Sequence, residues 1–385
     1  MTEKSIFITG TTGFLGSHLT YQLLNQGYKV YALVRDSKES QAGERMAKLF
    51  QKIGGEGDGL PENFFPILGD LRLDSSEDIV AKIRAVTNAE FDEVWHSAVS
   101  FKIKEKYRDE VEETNINGAE KVLNVVLSLN TSAPPRYFHI STAYCGGRDI
   151  KHVPESSLEA NDNFRSLYEW SKNRAEALVA QYQKDHGLNA VIFRPSVVVG
   201  TAETNVINYS GYYSLLKEGF NIRKMMEHKM GNDFDGYLGL RLCADEDLQP
   251  NLVPIDYVID AMVMISNHPK MQDNTLQYFN IVNDSDSVTI GRIKELMCDF
   301  LNLKGVDLVS KEALNESPQT YIESLFDQRI EFQAPYIREK ITFSTDQFRV
   351  FIPESELPPP NVDEEFIASI NAKFFDMHER NLGGH

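Results

Sequence analysis

A glycine-rich turn close to the N-terminus constrains the fold of this chain more than any other feature. The apolar run Ser5-Ile6-Phe7-Ile8-Thr9 leads directly into Gly10-Thr11-Thr12-Gly13-Phe14-Leu15-Gly16. Leucines at helical spacing follow, a glycine at position 27 is typical of a helix C-terminal cap, and residues 28–34 form a second apolar run. This order predicts a strand, a tight turn, a helix and a second strand.

The spacing of the three glycines, G-x-x-G-x-x-G, points to a bound phosphate. Gly10 permits the tight turn, Gly13 allows the backbone to approach a pyrophosphate, and Gly16 lets the helix pack on the sheet while its N-terminal amides face the phosphates. Because the glycines stand between a strand and a helix, we interpret the unit as a dinucleotide-binding site. Its expected cofactor contacts are Gly10, Thr12, Gly13, Phe14, Leu15 and Gly16.

The residue that follows the second strand indicates which dinucleotide is bound. Folds that prefer NAD offer a carboxylate to the ribose hydroxyls at this place, whereas this chain has Arg35. A guanidinium suits the 2′-phosphate of NADPH. The alternative is an ordinary exposed arginine, with the neighbouring Asp36 as the ribose acceptor. The sequence favours NADPH.

Three further apolar runs end in small or polar residues, at 65–71, 94–98 and 137–144. Such runs are typical of parallel strands whose C-terminal ends line a ligand crevice. We expect Asp70 and Leu71 to lie at the adenine, and Ala98 to let the cofactor approach the backbone. Ser141 or Thr142 is expected to present a hydroxyl to the substrate, although a Ser-Thr pair at a strand end is also a common cap.

The segment Tyr168-Glu169-Trp170-Ser171-Lys172 places a tyrosine and a lysine one helical turn apart. An ammonium group at this spacing stabilises the phenolate, so we expect Lys172 to lower the pKa of Tyr168, which is normally about 10. The pair then forms a general acid suited to carbonyl reduction. Taken alone, the same spacing is also typical of an exposed helix face.

In combination these motifs resemble the extended short-chain dehydrogenase/reductase family over most of the chain. The matching elements are TGTTGFLG at 9–16, GDL at 69–71, TNINGAEKVL at 114–123, ISTAY at 140–144, YEWSK at 168–172 and FRPSVVVG at 193–200. Within the family the chain is most similar to the thioester reductases and fatty acyl-CoA reductases, the male-sterility-type group. The segments that indicate this group are ALVR at 32–35, HSAVSF at 96–101, STAY at 141–144 and NLVPIDYVIDA at 251–261.

The resemblance implies an α/β fold, a Rossmann doubly wound parallel sheet with a smaller, mostly helical C-terminal substrate-binding lobe. The expected NADP-binding domain covers 1–200, with 251–282 returning to it, and the expected substrate lobe covers 201–250 and 283–385. We expect no sheet periodicity between 201 and 252. Pro195 and Val198 are expected to shape the nicotinamide pocket, although an Arg-Pro pair here is also a plausible strand end.

The resemblance also implies a catalytic group of Thr142, Tyr168 and Lys172, with Ser141 as the neighbouring alternative and Asn115 supporting Lys172 through a water. NADPH is expected to reduce the carbonyl of an acyl thioester, while Thr142 and Tyr168 hydrogen-bond the oxyanion and Tyr168 protonates it. Loss of the thiol leaves an aldehyde, which is released or reduced again to an alcohol. The alternatives are a keto-reductase, a sugar-nucleotide epimerase or dehydratase, and a non-catalytic NADP-sensing protein.

Charge and cysteine content restrict the partners of the chain. A formal net charge of −18 argues against a nucleic-acid partner, and no apolar stretch is long enough to insert into a membrane. The thioester carrier, whether CoA or a carrier protein, is itself anionic, so it needs local basic groups. Two clusters qualify: Arg148 with Lys151 and His152, and Arg223-Lys224 with His228-Lys229.

Three scattered cysteines indicate neither a disulfide framework nor a metal site, and together with the absence of a signal peptide they predict a cytoplasmic protein. Cys145 follows the STAY motif and is a remote candidate for acyl transfer. A cysteine at such a place is more often a small buried hydrophobe.

Overall fold

A computed structural model describes residues 4–37, 40–54, 59–159, 161–204, 211–271 and 275–383. Its strands are β1 Ser5–Thr9, β2 Lys29–Val34, β3 Phe64–Leu68, β4 Glu93–His96, β5 Arg136–Ile140, β6 His152–Val153, β7 Ala190–Pro195, β8 Val197–Val199, β9 Tyr237–Cys243, β10 Leu252–Pro254, β11 Leu276–Ile281, β12 Lys304–Val309 and β13 Thr342–Phe343. Its α-helices are α1 Phe14–Asn25, α2 Ala42–Ile53, α3 Ser76–Val86, α4 Arg108–Val111, α5 Gly118–Leu129, α6 Leu167–His186, α7 Tyr212–Met230, α8 Ile255–Ser266, α9 Ile290–Leu301, α10 Lys311–Asn315, α11 Tyr321–Arg329, α12 Asp346–Phe351 and α13 Glu364–Gly383.

The main sheet has seven parallel strands in the order β11-β7-β5-β4-β1-β2-β3. The order reverses on either side of β1, because the chain runs outward through β2 and β3 and then returns to place β4 on the other side. Ligands of doubly wound sheets bind at this switch point, outside the carboxyl ends of the strands. The α/β Rossmann fold expected from the sequence is confirmed.

The strands of the main sheet form from apolar runs, because parallel strands that are covered by helices on both faces bury nearly every side chain. Aromatic rings on three neighbouring strands stack in the middle of the sheet: Trp95 lies 4.1 Å from Phe138 and 5.7 Å from Phe193 between ring centroids. All three rings are fully buried. The carboxyl ends of β4, β5 and β7 are therefore built on a rigid apolar base.

The chain divides into two compact units, and each is formed from three stretches of sequence. Unit 1 comprises Met1–Ser196, Ile255–Val282 and Phe343–Pro358 and contains the seven-stranded sheet. Unit 2 comprises Val197–Pro254, Asn283–Thr342 and Pro359–His385. Residues 343–358, which the sequence assigned to the C-terminal lobe, thus belong to the compact unit that holds the sheet.

A half-buried carboxylate explains the position of this third stretch. The Glu155 carboxylate accepts backbone N–H groups from Asn280 at 3.0 Å, from Gln347 at 2.6 Å and from Phe348 at 3.1 Å. The side chain of Asn280 also donates to the carbonyl of Ser344 at 2.9 Å. These bonds tie the start of α12 to β11, an attachment that no local sequence pattern reveals.

Unit 2 has its own apolar core, formed by α7, α9, α11 and α13 around two short parallel strand pairs, β8 with β10 and β9 with β12. The expectation of no sheet periodicity between 201 and 252 is wrong. Leu238, Leu240 and Leu242 alternate along β9 with their side chains buried. The strand forms because β12, much later in the chain, pairs with it.

Candidate active site

The glycine turn after β1 is shaped by close backbone contacts. Gly10 has a φ of +80°, and a Cβ atom there would lie 2.4 Å from the amide nitrogen of Ala98. A Cβ atom on Gly16 would lie 2.2 Å from the carbonyl oxygen of Gly10. Side chains at either position are therefore excluded, and α1 begins directly against the turn. Ala98, expected to border the cofactor, follows β4 at this place.

The first turn of α1 offers backbone amides to a ligand. Gly13 is the N-terminal cap residue and has no side chain to accept a hydrogen bond, and the first turn has no acidic residue. The partial positive charge of a helix N-terminus is thus left for an anion. Together with the glycine turn, this arrangement fits the pyrophosphate of a dinucleotide.

Two arginines lie near one another beyond the end of β2. Arg35 keeps 54% of its side chain exposed. Burial lowers the pKa of Arg45 on α2, and the positive charge of Arg35 adds to this lowering. Two neighbouring guanidinium groups favour the binding of an anion between them. The sequence did not single out Arg45, although it lies on the helix that follows this strand.

The carboxylates near these arginines are already engaged. Hydrogen bonding from Arg72 lowers the pKa of Asp70 to about 2, and Asp70 also lies 3.7 Å from Arg35. Asp36 accepts the amide of Ala42 at 2.8 Å, at the start of α2. Asp36 therefore has a structural partner, which makes it a weaker candidate for the ribose. Leu71, the other residue expected at the adenine, is buried.

The carboxyl end of β5 carries the two candidate hydroxyl groups. The backbone of this end is fixed to β7, since the Ser141 amide donates to the Phe193 carbonyl at 2.7 Å and the Ala143 amide donates to the Pro195 carbonyl at 2.9 Å. Ser141 is buried, and its hydroxyl has no hydrogen-bond partner among the described residues. Thr142, also buried, accepts only a long bond, 3.3 Å, from the Tyr144 amide.

Tyr168 stands in the first turn of α6, half-buried, with its ring stacked on Phe101 at 5.2 Å between centroids and an interplanar angle of 26°. The expectation that Lys172 lowers the pKa of this tyrosine is wrong. Burial raises the pKa of Tyr168 well above its ordinary value, and the negative charge of Glu169 adds to the effect. The hydroxyl is therefore protonated at neutral pH. The spacing in the sequence shows that Lys172 lies one helical turn from Tyr168, but it does not show how far the fold shields Tyr168 from water.

Lys172 lies one turn further along α6, with 3% of its surface exposed. Its Nζ donates to the carbonyl of Ile140, the last residue of β5, at 2.6 Å. Burial lowers the pKa of Lys172 to about 8, while the carboxylate of Glu176 opposes this lowering. The ammonium group is therefore mostly charged at neutral pH, and it lies beside the strand that carries Ser141 and Thr142.

Asn115 lies in a π-helical turn, Glu112–Asn117, and is buried. Its side-chain oxygen accepts the Ser100 amide at 2.7 Å, and its side-chain nitrogen donates to the Ser100 carbonyl at 3.0 Å and to Ser171 Oγ at 2.9 Å. The side chain thus connects the segment after β4 with α6. Support of Lys172 through a water, expected from the sequence, stays a prediction.

Two buried histidines that the sequence did not single out lie at the same register position of β4 and β5. His96 shares a hydrogen bond of 2.8 Å with the Thr9 hydroxyl, and His139 shares one of 3.1 Å with the Tyr137 hydroxyl. Burial lowers the pKa of His96 to about 3 and that of His139 well below its ordinary value, and the charge of Lys172 adds to both. Both rings are neutral. Only the strand register reveals the pairing.

Cys145 is not a candidate for acyl transfer. The residue is fully buried, its thiol donates to Glu176 Oε1 at 3.2 Å, and burial raises the pKa of the thiol well above its ordinary value. Glu176 also holds Arg194, whose guanidinium approaches the carboxylate at 2.6 Å. A protonated thiol in such a cluster is inert. The cluster instead fixes α6 on β7.

The last expected cofactor residues lie on either side of the boundary between the units. Pro195 is buried at the end of β7 in unit 1, while Val198 lies in β8 of unit 2 and pairs with Val253. The described residues contain no cluster of three or more histidine, cysteine or acidic side chains that would hold a metal ion. Nor does any helix among them have the length and apolar character needed to cross a membrane.

Comparison with known proteins gives this site a family. The pattern of the family described as Male sterility protein matches residues 8–262. The chain belongs to this family. Membership in the male sterility family confirms the resemblance to extended short-chain dehydrogenases/reductases. The family match supports a nicotinamide dinucleotide as the cofactor of this chain.

Similar proteins cover different amounts of the chain. Fatty acyl-CoA reductase 2 of Homo sapiens is 27% identical over 238 residues, which cover 51% of this chain and 44% of the human protein. L-2-aminoadipate reductase of Saccharomyces cerevisiae is 26% identical over 293 residues, which cover 71% of this chain and 19% of the yeast protein. The chain spans about half or less of the length of the curated relatives that it matches.

A solved structure shares the fold along nearly the whole chain. The terminal R domain from the myxalamid PKS-NRPS biosynthetic pathway has a TM-score of 0.74 at 20% identity, covering 98% of this chain and 93% of that domain. At this identity the similarity establishes the fold alone.

Proposed function

We propose that the chain is an NADPH-dependent reductase that converts an acyl thioester, carried by CoA or by a carrier protein, to an aldehyde or further to an alcohol. The observation that carries the proposal is the arrangement at the end of β5. Ser141 and Thr142 directly follow Ile140, whose carbonyl accepts a hydrogen bond from Lys172, and Tyr168 lies on the same helix as Lys172. The buried hydroxyl of Ser141 has no hydrogen-bond partner among the described residues. The relatives named as acyl-CoA and aminoadipate reductases support this substrate class.

The cofactor choice is supported by charge. The 2′-phosphate of NADPH is the group that two adjacent guanidiniums, Arg35 and Arg45, suit best. The glycine turn and the first turn of α1 would hold the pyrophosphate. Asp36, the residue that would favour NADH, is engaged with the amide of Ala42.

Different residues of the chain perform different parts of the proposed reaction. When bound, NADPH supplies the hydride for the thioester carbonyl. Thr142 and Tyr168 donate hydrogen bonds to the carbonyl oxygen as negative charge develops on it, and Ser141 is the neighbouring donor. Because burial raises the pKa of Tyr168, its proton is present at neutral pH and passes to this oxygen. The hemithioacetal that results then breaks its carbon–sulfur bond, which releases the thiol and leaves the aldehyde.

The decisive experiment measures thiol and cofactor together. With NADPH and a panel of acyl-CoA and acyl-carrier thioesters, one thiol should appear per NADPH oxidised if the product is an aldehyde, and one per two if it is an alcohol. Tyr168→Phe should lower turnover by about a hundredfold or more while NADPH affinity is retained. Tyr182→Phe is the matched control, because Tyr182 lies on the same helix with its hydroxyl bonded to Asn124.

Other outcomes identify the alternatives. Thiol release without NADPH oxidation indicates a hydrolase or acyl transferase. Oxidation of NADPH by ketones, with no activity on any thioester, favours a keto-reductase. Tight NADPH binding without turnover of any of these substrates favours a sensing protein. Full activity of the Tyr168→Phe variant would remove Tyr168 from the mechanism.

A further inference from the structure

The segment Phe101–Arg108, which follows β4, is rich in cations and lies beside the proposed site. We call it the lysine segment, since Lys102, Lys104 and Lys106 are all exposed. Its start is fixed by Asn115, which bonds both the amide and the carbonyl of Ser100. The lysine segment therefore leaves the sheet from a defined point, although its own first part has no regular secondary structure.

Two contacts hold the lysine segment on α6. Phe101 stacks on Tyr168 at its beginning, and the guanidinium of Arg108 lies 4.5 Å from the ring centroid of Trp170 at its end. Phe101 itself remains 50% exposed. Both ends of the segment thus contact α6 within one helical turn, at Tyr168 and at Trp170, and Lys102, Lys104 and Lys106 lie between these contacts in the sequence.

The charges of Lys102 and Lys106 are directed at one ring. Their ammonium groups lie 4.7 Å and 4.9 Å from the ring centroid of Tyr107. Neither lysine has a carboxylate partner among the residues that the structure describes, in contrast to Arg108, which pairs with Glu105 and Glu112. Two like charges within about one Debye length, ~10 Å at moderate salt, repel each other, and an anion between them relieves the repulsion.

The acidic residues that follow the lysine segment are mostly engaged elsewhere. Glu110 accepts the hydroxyl of Ser100 at 3.2 Å, and Glu113 binds Lys121 at 2.8 Å. They therefore do not neutralise Lys102 and Lys106. The segment Phe101–Arg108 itself carries four basic side chains and one carboxylate, Glu105, in a chain whose net charge is −18.

We propose that Lys102 and Lys106 bind the phosphate at the end of the pantetheine arm of the thioester substrate. This inference rests on the proposed function. CoA and carrier proteins both present their thioester on such an arm, with a phosphate separated from the reacting carbonyl by the length of pantetheine. The segment begins on Tyr168 and carries exposed lysines, so it offers cations to such a phosphate beside the proposed site. Phe101, at the inner end, contacts the apolar part of the substrate.

The test compares thioesters of one acyl group that differ only in phosphate content: acyl-pantetheine without phosphate, acyl-phosphopantetheine, acyl-CoA and the acyl carrier protein. Lys102→Ala/Lys106→Ala should raise KM about tenfold for the three phosphate-bearing substrates and leave KM for acyl-pantetheine and kcat for all four unchanged. Raised salt should increase the KM of the wild type for acyl-phosphopantetheine more than it increases the KM of the double alanine variant.

Two control variants separate charge from structure. Lys184→Ala removes an exposed lysine from the far end of α6 and should leave every KM unchanged. Lys102→Arg/Lys106→Arg keeps both charges and should restore affinity for the phosphate-bearing substrates. An equal loss of activity with acyl-pantetheine in the double alanine variant would overturn the inference, since phosphate would then be irrelevant. A loss confined to acyl-CoA would also overturn it, because the nucleotide phosphates would be the ligand.

The proposed function and this inference fail in different ways. If the wild-type protein reduces no thioester, with or without phosphate, the proposed function is wrong. Calorimetric titration with phosphopantetheine, which has no nucleotide, then tests the lysines directly: weaker binding to the double alanine variant supports the phosphate site, and no binding to the wild type overturns it. If the wild type reduces acyl-pantetheine and acyl-phosphopantetheine with the same KM, the function stands and the phosphate site is wrong.

Discussion

Replacing Lys172 with methionine removes a buried ammonium group while keeping a side chain of similar length. Burial lowers the pKa of Lys172 from 10.5 to about 8. One pKa unit corresponds to about 1.4 kcal/mol. Burying the ammonium group therefore lowers the free energy of unfolding by about 3 kcal/mol at any pH at which the group is charged in both the folded and the unfolded protein. Because Lys172 belongs to the proposed catalytic group, the residue exchanges stability for activity.

The sign of the pH dependence follows from the lowered pKa. Between pH 8 and 10.5 the unfolded chain binds more protons at this residue than the folded one, so wild-type stability rises with pH relative to Lys172→Met. Below pH 8 the group is charged in both the folded and the unfolded protein, so the full cost of burying the charge is present. We expect the free energy of unfolding of the wild type, minus that of the variant, to increase by about 3 kcal/mol from pH 7.5 to 10.5, measured by denaturant titration.

The matched control is Lys184→Met, which replaces an exposed lysine on the same helix. Its difference from the wild type should not change with pH. A constant difference for Lys172→Met over the same range would refute the argument, since it would mean that burial does not disfavour the ammonium group. The variant should also lose its reductase activity at every pH.

Two further predictions concern charge at other places. Arg35→Ala should weaken NADPH binding by about 1.5 to 3 kcal/mol and leave NADH binding nearly unchanged, as measured by fluorescence titration; equal weakening of both would show that Arg35 does not contact the 2′-phosphate. Burial raises the pKa of Glu155 to about 7, so its contribution to stability is present below pH 4.5 and lost as pH rises through 7. Relative to Glu155→Gln, the wild type should therefore lose about 3 kcal/mol of unfolding free energy between pH 4.5 and 8, and an unchanged difference would mean that the carboxyl titrates normally.

The sequence predicted those parts of the fold that depend on local patterns. The strand, glycine turn and helix at 5–25 follow from apolar runs and from backbone positions that only glycine tolerates. Strand β9 escaped prediction because its partner β12 lies far along the chain, and strand pairing of this kind is non-local. Likewise, the bonds of Glu155 join residues from three distant stretches.

The sequence predicted which residues belong to the candidate site, but it did not predict how deeply each of them is buried or how its pKa is shifted. Helical spacing placed Tyr168 beside Lys172, yet the pKa of each depends on how much water the fold excludes, which spacing does not encode. The paired histidines of β4 and β5 became visible only through strand register. The aromatic contacts of Phe101 and Arg108 required the path of the chain after β4.

The three-part construction of unit 1 also governs the order in which the protein is completed on the ribosome. Strand β11, at the edge of the sheet, is synthesised only after the first stretch of unit 2. Until then β7 is an unpaired edge, the kind of surface that attracts other strands. The carboxylate of Glu155 acquires its partners later still, because two of its three amide donors, at 347 and 348, follow the second stretch of unit 2. The β7 edge and the Glu155 carboxylate thus acquire their partners only after large parts of unit 2 have been made.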